Sequence, residues 1–242
     1  MFTSSGLPLK AVSVSKTVAG VGALMLLVAA STGAKAGDWS GFYVGAHLGG
    51  AWAGVDWADI SLTSEPVSND SNGFIGGGHI GVQHQFNNIV VGLEASISGA
   101  DLSDTTSSFV PGVTYTTEID TMVTVAGRLG VTFNHFLPYV KVGYAAADVS
   151  TTGNVSFIPD SFNISDWEHG WIIGGGLETK LGENLVAGVE YDYIDLGENN
   201  RNGVTAGGIP FTLTDVDTQI QVVTARISYK FGRDRHEPVP LK

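Results

Sequence analysis

The chain of 242 residues contains no cysteine. Disulfide bonds, a thiolate nucleophile and cysteine-ligated zinc are therefore excluded. Basic residues are scarce, because 12 Lys and Arg stand against 24 Asp and Glu, and the formal net charge is −12. Since acidic surfaces repel phosphate groups, no nucleic-acid partner is expected.

Long apolar runs are also missing, except for one near the N-terminus. The run VAGVGALMLLVAA (18–30) follows two lysines and precedes small residues at Ala34 and Ala36. This order predicts a secretory signal peptide over residues 1–36, cut after Ala36, and export to the envelope of a Gram-negative cell. The alternative is an uncleaved anchor, but a spanning helix needs ~20 apolar residues.

After this run, the apolar residues occur in short segments at every second position. In residues 89–99, Leu93 and its apolar neighbours alternate with Glu94 and with Gly and Ser. Successive side chains of a strand point to opposite faces, so one face is apolar and the other is small or polar. Eight segments show this pattern, each long enough for a tilted membrane strand. In the fourth segment, the pattern puts Ile119 on the apolar face and Asp120 on the polar face.

The connections between these segments alternate between short and long. Short turns are predicted at 87–88, 134–136 and 182–184, and long loops at 54–72, 101–118, 148–168 and 196–217. The first three of these loops are predicted to be mobile and solvated. Short periplasmic turns and long extracellular loops are typical of outer-membrane barrels. The sequence therefore predicts an all-β fold, an eight-stranded antiparallel up-and-down transmembrane β-barrel over residues 37–231.

The two halves of this barrel resemble each other in sequence. The stretch NNIVVGLE (87–94) corresponds to ENLVAGVE (183–190), and GRLGVTF (127–133) corresponds to ARISYKF (225–231). The offsets of 96 and 98 residues between them indicate two halves of four strands each.

Charged residues on the polar face are predicted to meet inside the barrel. The interior of eight strands is only wide enough to be filled by side chains, and a buried carboxylate needs a cation or hydrogen bonds. Counting from the periplasmic strand ends puts six charges at one height, and we predict a salt-bridge network there. This lumenal charge belt consists of Glu94, Arg128, Lys141, Glu178, Glu190 and Arg226. Two interpretations stay open, a closed plug and the filter or gate of a narrow pore.

Aromatic residues near the strand ends are predicted to form the two interfacial girdles of a membrane barrel. Sugar stacking is the alternative. The outer girdle would hold Trp52, Trp57, Trp167 and Trp171, and the inner one Tyr229 and Phe231.

Five stretches in order carry a family resemblance: DWSGFYVGAHLGGAW, GGGHIGVQHQFNNIVVGLEASI, GRLGVTFNHFLPYVKVGYA, GWIIGGGLETKLGENLVAGVEYDYIDLG and ARISYKF. They resemble the alphaproteobacterial outer-membrane immunogenic proteins, which are porin-like or opacity-like and have an OmpA-type eight-stranded barrel. The resemblance implies an abundant barrel of the cell outer membrane with surface-exposed loops. Members have been linked to envelope integrity, host-cell contact and, in some relatives, haemin binding.

One departure from the family lies at the C-terminus. Members commonly end at the final-strand Phe, whereas GRDRHEPVPLK follows Phe231 here. Pro238 and Pro240 cannot usefully extend the strand, so residues 232–242 are predicted to be a flexible periplasmic tail. Weakened recognition by the assembly machinery and contact with the cell wall are the alternatives.

The expected function is a structural and surface-interaction barrel with at most a narrow porin-like pore. Its expected partners are outer-membrane lipid and lipopolysaccharide, the barrel-assembly machinery, and host surface molecules reached through the loops. No catalytic residue, cofactor or metal site is predicted, so the protein is not expected to be an enzyme, although the acidic loops offer oxygen ligands to divalent cations.

Three alternatives stay open. A lipid-modifying enzyme would use His169 beside Asp166 and Glu168 at the outer rim, and a haemin-binding barrel would need an exposed His or Tyr. A lipocalin-like binder would instead turn its apolar face inward.

Overall fold

The computed structural model describes residues 38–58, 66–107, 113–155, 160–204 and 210–231. Each of its strands pairs antiparallel with the next, and the last pairs with the first, so that the barrel is closed. The predicted eight-stranded antiparallel up-and-down barrel is confirmed. The strands are β1 (Gly41–Ala58), β2 (Pro66–Phe86), β3 (Ile89–Ser107), β4 (Val113–Val131), β5 (Phe136–Val155), β6 (Asp160–Lys180), β7 (Leu185–Val204) and β8 (Pro210–Phe231).

Two predicted segments lie outside the described residues, the signal peptide 1–36 and the tail 232–242. Among the residues that the structure describes, no helix has the length and apolar character needed to cross a membrane.

The alternation of side chains sorts the residues of each strand between lipid and lumen. Leu93 and Val142 on the outer face are 60% and 62% exposed, whereas Glu94 and Lys141 beside them are buried. This apolar-out, polar-in arrangement is that of a membrane barrel. It is the reverse of a lipocalin-like binder, and that alternative is wrong.

One orientation predicted from the alternation is wrong. Ile119 is buried inside the barrel and Asp120 is exposed. The register of β4 against β5 shifts between Ile119 and Thr121, so that an extra residue is inserted into β4. Such a bulge moves every residue beyond it to the opposite face. The inward series of Met122 and Thr124 therefore continues at Ile119.

The strands extend well into the ranges predicted to be long loops. β1 continues to Ala58, and β2 begins at Pro66. The periplasmic connections are short, as predicted. Asn87 and Asn134 in two of them have φ of 57° and 54°, a conformation that Asn adopts more readily than most residues.

The pairing between strands is not complete at the outer end of the barrel. The described ladder between β6 and β7 ends at Trp171↔Asp195, and that between β2 and β3 ends at Phe74↔Asp101. The other ladders continue, for example to Val155↔Asp160 between β5 and β6. The outer part therefore divides into two four-stranded sheets, β7-β8-β1-β2 and β3-β4-β5-β6, separated by two seams.

Candidate functional site

The six residues of the lumenal charge belt come from six consecutive strands, β3 to β8. All six are between 3% and 7% exposed, and the structure brings them together in one network. Charges removed from water to this extent must be paired, because desolvation of an unpaired ion costs several kcal/mol.

Glu94 is held between two guanidinium groups. Its Oε2 lies 3.1 Å from Nη1 of Arg128 and 2.5 Å from Nη2 of Arg226. Nη2 of Arg128 reaches further across the lumen to Oε1 of Glu178, at 2.8 Å. The carboxylate in the middle of an apolar strand is therefore compensated by cations from β4 and β8.

Lys141 links two carboxylates of β7. Its Nζ lies 2.8 Å from Oε1 of Glu190 and 2.9 Å from Oδ2 of Asp192. Glu190 is also paired with Arg226. Asp192 was not assigned to the belt from the sequence, although it lies on the same face of β7 two residues beyond Glu190.

The belt has more acids than bases. Asp192 adds a fourth carboxylate to the network of the six predicted residues, and its Oδ1 is buried without a hydrogen-bond partner among the described residues. The four carboxylates are Glu94, Glu178, Glu190 and Asp192, and the three cations are Arg128, Lys141 and Arg226.

Two tyrosines complete the network, and neither was predicted from the sequence to belong to it. The hydroxyl of Tyr43 donates to Oε2 of Glu94 at 2.8 Å, and the hydroxyl of Tyr139 donates to Glu190. In both pairs, the acid follows the tyrosine by 51 residues. The guanidinium of Arg128 lies 3.9 Å from the ring centre of Tyr139, a cation–π contact. The repeat between the two halves also pairs YVGA (43–46) with YVKV (139–142), and this was the sequence signal that could have found both tyrosines.

Glycines make room for both tyrosines. A Cβ at Gly81 would lie 2.3 Å from the hydroxyl oxygen of Tyr43, and one at Gly176 would lie 2.6 Å from that of Tyr139. Each tyrosine therefore crosses the lumen over a glycine of the neighbouring strand, and the two halves use the same arrangement.

A pair of histidines lies above the belt, towards the outer end. His47 and His79 face each other through their Nδ1 atoms, which are 3.3 Å apart. The Nε2 atom of His47 is 2.8 Å from Oγ of Ser98, and that of His79 is 2.8 Å from Oγ of Ser228. Every ring nitrogen of the pair thus has a polar partner inside the barrel.

The other described histidines do not meet the acids proposed for catalysis. His84 and His135 are exposed. His169 lies on the outer face, where its Nδ1 is 2.5 Å from the hydroxyl of Tyr144, whereas Glu168 is buried inside. The structure therefore separates His169 from Glu168. Among the described residues, no three His, Asp or Glu side chains come together as metal ligands.

The periplasmic mouth of the barrel is closed by residues 38–40, which we call the N-terminal strap. Trp39 is fully buried and packs in a cluster with Val90, Leu137 and Val186. Its amide donates to Oε1 of Gln85 at 2.8 Å, and its carbonyl accepts from Nε2 of Gln83 at 2.8 Å. No role of this tryptophan was predicted from the sequence.

Two lysines hold the first residue of the strap. Nζ of Lys180 donates to the carbonyl of Asp38 at 3.0 Å, and Lys230 donates to the same oxygen. Partial burial raises the pKa of the Asp38 carboxyl, but the hydrogen bonds from Ser40 and the charges of Lys230 and Lys180 outweigh it. The pKa of Asp38 therefore lies below its ordinary value, and the carboxyl is ionised at neutral pH.

An apolar layer fills the lumen at the outer end. It includes Ile172, Ile194 and Ile220, each no more than 1% exposed. Between this layer and the belt lies a cavity of about 30 Å³, room for about two water molecules.

The order of these layers can be followed along a single strand. Every second inward residue of β3 marks one layer: from the periplasm outward, Val90 lies in the strap cluster, Glu94 in the belt, Ser98 at the histidine pair and Leu102 in the apolar layer. The belt is thus enclosed between two apolar layers.

The aromatic residues predicted to form girdles lie on the outer face. Tyr229 and Phe231 are at the periplasmic end of β8, whereas the tryptophans of the outer group lie within their strands, because the strands continue beyond the predicted ends. Of the outer group, Trp52, Trp167 and Trp171 are about half exposed, and the side chain of Trp57 lies outside the described residues. Of the inner group, Tyr229 and Phe231 are also about half exposed.

Comparisons with known proteins point to the same class. The family model described as "Outer membrane protein beta-barrel domain" matches residues 21–231. The 31 kDa outer-membrane immunogenic protein of Brucella melitensis is 27% identical over 216 residues, which cover 80% of this chain and 84% of the relative. The 25 kDa outer-membrane immunogenic protein of Brucella abortus is 28% identical over 80% of each chain.

A third relative is the 22 kDa outer membrane protein of Rhizobium leguminosarum, 29% identical over 66% of this chain and 65% of its own. Among solved structures, Neisserial surface protein A has a TM-score of 0.43 and 14% identity, covering 79% of this chain and 98% of its own. The resemblance predicted from the motifs is confirmed by the relatives. The chain therefore belongs to the outer-membrane protein β-barrel domain family and resides in the cell outer membrane.

Proposed function

We propose that this protein is a structural barrel with a closed lumen, which holds two β-sheets at the cell surface. The observation that carries this proposal is the enclosure of the charge belt between Trp39 and its cluster on one side and the apolar layer on the other. A conducting pore needs a continuous water path, and here the polar cavity between the layers holds only about two waters. On this proposal the belt fills and fixes the barrel rather than filtering solutes.

The partners follow from the surfaces that such a barrel presents. Its outer face contacts lipid and, at the outer leaflet, lipopolysaccharide, while the two sheets beyond the girdle are available to host surface molecules. The barrel-assembly machinery is the partner during insertion. An enzymatic role at the outer rim is disfavoured, since Glu168 and His169 point to opposite sides of the wall.

Single-channel recording in a planar lipid bilayer tests the closed lumen. The folded protein, identified by its heat-modifiable mobility in gels, is expected to give no stable conductance steps. Stable steps whose size changes in Glu94→Ala would contradict the proposal and make the belt a filter.

A matched control keeps the belt and opens both apolar layers. Replacing Ile172, Ile194 and Ile220 together by serine, in combination with Trp39→Ala, lets water enter from both sides, so that this variant serves as the positive control for conduction. Steps in this variant and none in the unmodified chain would locate the barrier in the two apolar layers.

A further inference from the structure

Among the residues that the structure describes, the outer part of β6 has a strand partner on one edge only. Residues 160–170 pair with β5, and the ladder to β7 begins only at Trp171. Such an edge presents unpaired amide and carbonyl groups, which are a template for another strand.

The direction of each amide of β6 follows from two hydrogen bonds at its other end. The amide of Lys180 donates to the carbonyl of His135, which precedes β5, and the amide of Leu181 donates to Leu185 on β7. The ladder between β6 and β5 has no register shift. The backbone amide and carbonyl groups of even-numbered residues of β6 therefore point towards β5, and those of odd-numbered residues point towards the side of β7. On the outer part these odd-numbered residues are Ser161, Asn163, Ser165 and Trp167.

Side chains replace the missing strand partner at the base of this seam. Oδ1 of Asp166 accepts the amide hydrogen of Trp167 at 2.9 Å, and Oδ1 of Asp195 accepts that of Gly197 on β7 at 2.9 Å. Backbone donors that pair inside a regular ladder have no need of such carboxylates. The open edge of β6 thus begins at Trp167 and extends roughly 20 Å outward along the strand.

The other edges at the two seams differ from that of β6. The outer edge of β2, residues 66–73, is of equal length but begins with a proline at Pro66 and ends with Gly73, whereas the outer edge of β3 covers only residues 102–107. β7 has two register shifts against β8 and a positive φ of 71° at Gly197. Prolines, bulges and short length are the features that protect edges from pairing. Residues 160–167 of β6 contain no proline or glycine and show no register shift.

The charge of this segment selects among possible occupants. Asp160 and Asp166 lie within it, and residues 148–168 contain no Lys or Arg. A second copy of β6 would place these acids opposite each other, which is unfavourable across strands. A segment with Lys or Arg at alternate positions would instead be attracted.

We propose that residues 160–167 of β6 bind an extended, basic segment of another polypeptide as an added strand. The backbone of the edge supplies the hydrogen bonds, and the acidic residues give the preference for basic partners. The inference rests on the surface role proposed above. Its test measures peptide binding rather than conductance. A conducting lumen would therefore contradict the closed barrel proposed above but not the binding of a peptide to β6.

The first experiment uses three synthetic peptides of about eight residues, the typical length of a strand. One alternates Lys and Thr, one alternates Glu and Thr, and the third is the Lys peptide with every second backbone amide methylated. Binding to the folded full chain in detergent is followed by fluorescence anisotropy at about 0.15 M salt. The Lys peptide is expected to bind, the methylated one about tenfold or more weaker, and the Glu peptide not measurably.

The second experiment locates the edge. Asn163→Pro removes an amide that faces the seam and leaves the ladder to β5 intact, whereas Asn163→Ala keeps that amide. Asn163→Pro is expected to weaken binding of the Lys peptide about tenfold, and Asn163→Ala to leave it unchanged. Ser165→Pro provides the same test at another seam-facing position.

Three results would overturn the proposal. Equal affinities for the methylated and unmethylated Lys peptides would show attraction by charge alone. Unchanged binding in both proline variants would place the peptide elsewhere. If the unmodified chain dimerises in sedimentation and Asn163→Pro abolishes the dimer, then a second copy of the chain occupies the edge.

Discussion

Glu190 and Asp192 lie two residues apart on one face of β7, and both contact Lys141. Glu190 has two further partners, Tyr139 and Arg226, whereas Asp192 has a buried oxygen without a hydrogen bond among the described residues. In a belt of four acids and three bases, the two carboxylates should therefore differ in their contribution to stability.

We expect Glu190→Gln to lower the free energy of unfolding by about 3–5 kcal/mol, because it removes a buried charge that Arg226 and Lys141 need. Asp192→Asn removes the excess negative charge and should cost less than about 1 kcal/mol, or stabilise. Urea unfolding in lipid vesicles, followed by heat-modifiable gel mobility, measures both. Equal losses of unfolding free energy in the two variants would show that another group balances the excess negative charge of the belt.

At the residue scale, alternation and counting from the strand ends were enough to place the six residues of the belt at one height. They were not enough to include Tyr43 or Tyr139, because a tyrosine on the inward face looks the same whether it packs or donates a hydrogen bond. Asp192 was missed because a single height was assigned to each strand, whereas Lys141 reaches carboxylates at two heights.

At the scale of elements, the N-terminal strap closes the periplasmic mouth although it is not a strand. Trp39 is its only side chain in the apolar cluster with Val90, Leu137 and Val186. No periodic pattern predicts the strap, since it contains one apolar residue between Asp38 and Ser40.

Trp39→Ala is expected to open the mouth. Because the chain has no cysteine, Val90→Cys places a single thiol beneath the strap. A membrane-impermeant thiol reagent should label this cysteine at least about tenfold faster when Trp39 is replaced by alanine, since the shielding side chain is lost.

The matched control is Glu183→Cys in the exposed turn between β6 and β7. Its labelling rate should be the same with and without Trp39. If the rate at Val90→Cys is also the same in both backgrounds, the backbone of the strap rather than its tryptophan seals the mouth.

The strands were predicted from the positions of their apolar residues, but two features of the strands could not be predicted in this way. The bulge near Asp120 inverts the alternation in the part of β4 that lies beyond it and has no signature in composition. The outer strand extensions are rich in Ser, Thr and Asn, which also suit loops, and only pairing with a neighbouring strand makes them regular.

At the scale of the whole molecule, the barrel consists of two similar halves. β1 to β4 contain Tyr43 with Glu94, and β5 to β8 contain Tyr139 with Glu190, at the same spacing of 51 residues. The two seams also correspond, one within each half, between β2 and β3 and between β6 and β7.

A chain divided between the halves should therefore reassemble. Fragments cut after Asn134, in the turn between β4 and β5, keep each tyrosine with its glutamate and are expected to form a heat-modifiable barrel when refolded together in detergent. Cutting after Asn87 separates Tyr43 from Glu94 and should give a lower yield. Equal yields from both cuts would show that the halves are not independent units.

The two lysines that hold the strap have a consequence for the order of events during folding. Lys230 belongs to the last strand and Asp38 precedes the first, so that their contact spans 192 residues of sequence. Contacts between such distant residues form late, because the chain between them must first be ordered. The strap is therefore a latch whose bond to Lys230 can form only after β8 has been placed, and this bond marks a molecule whose folding is complete.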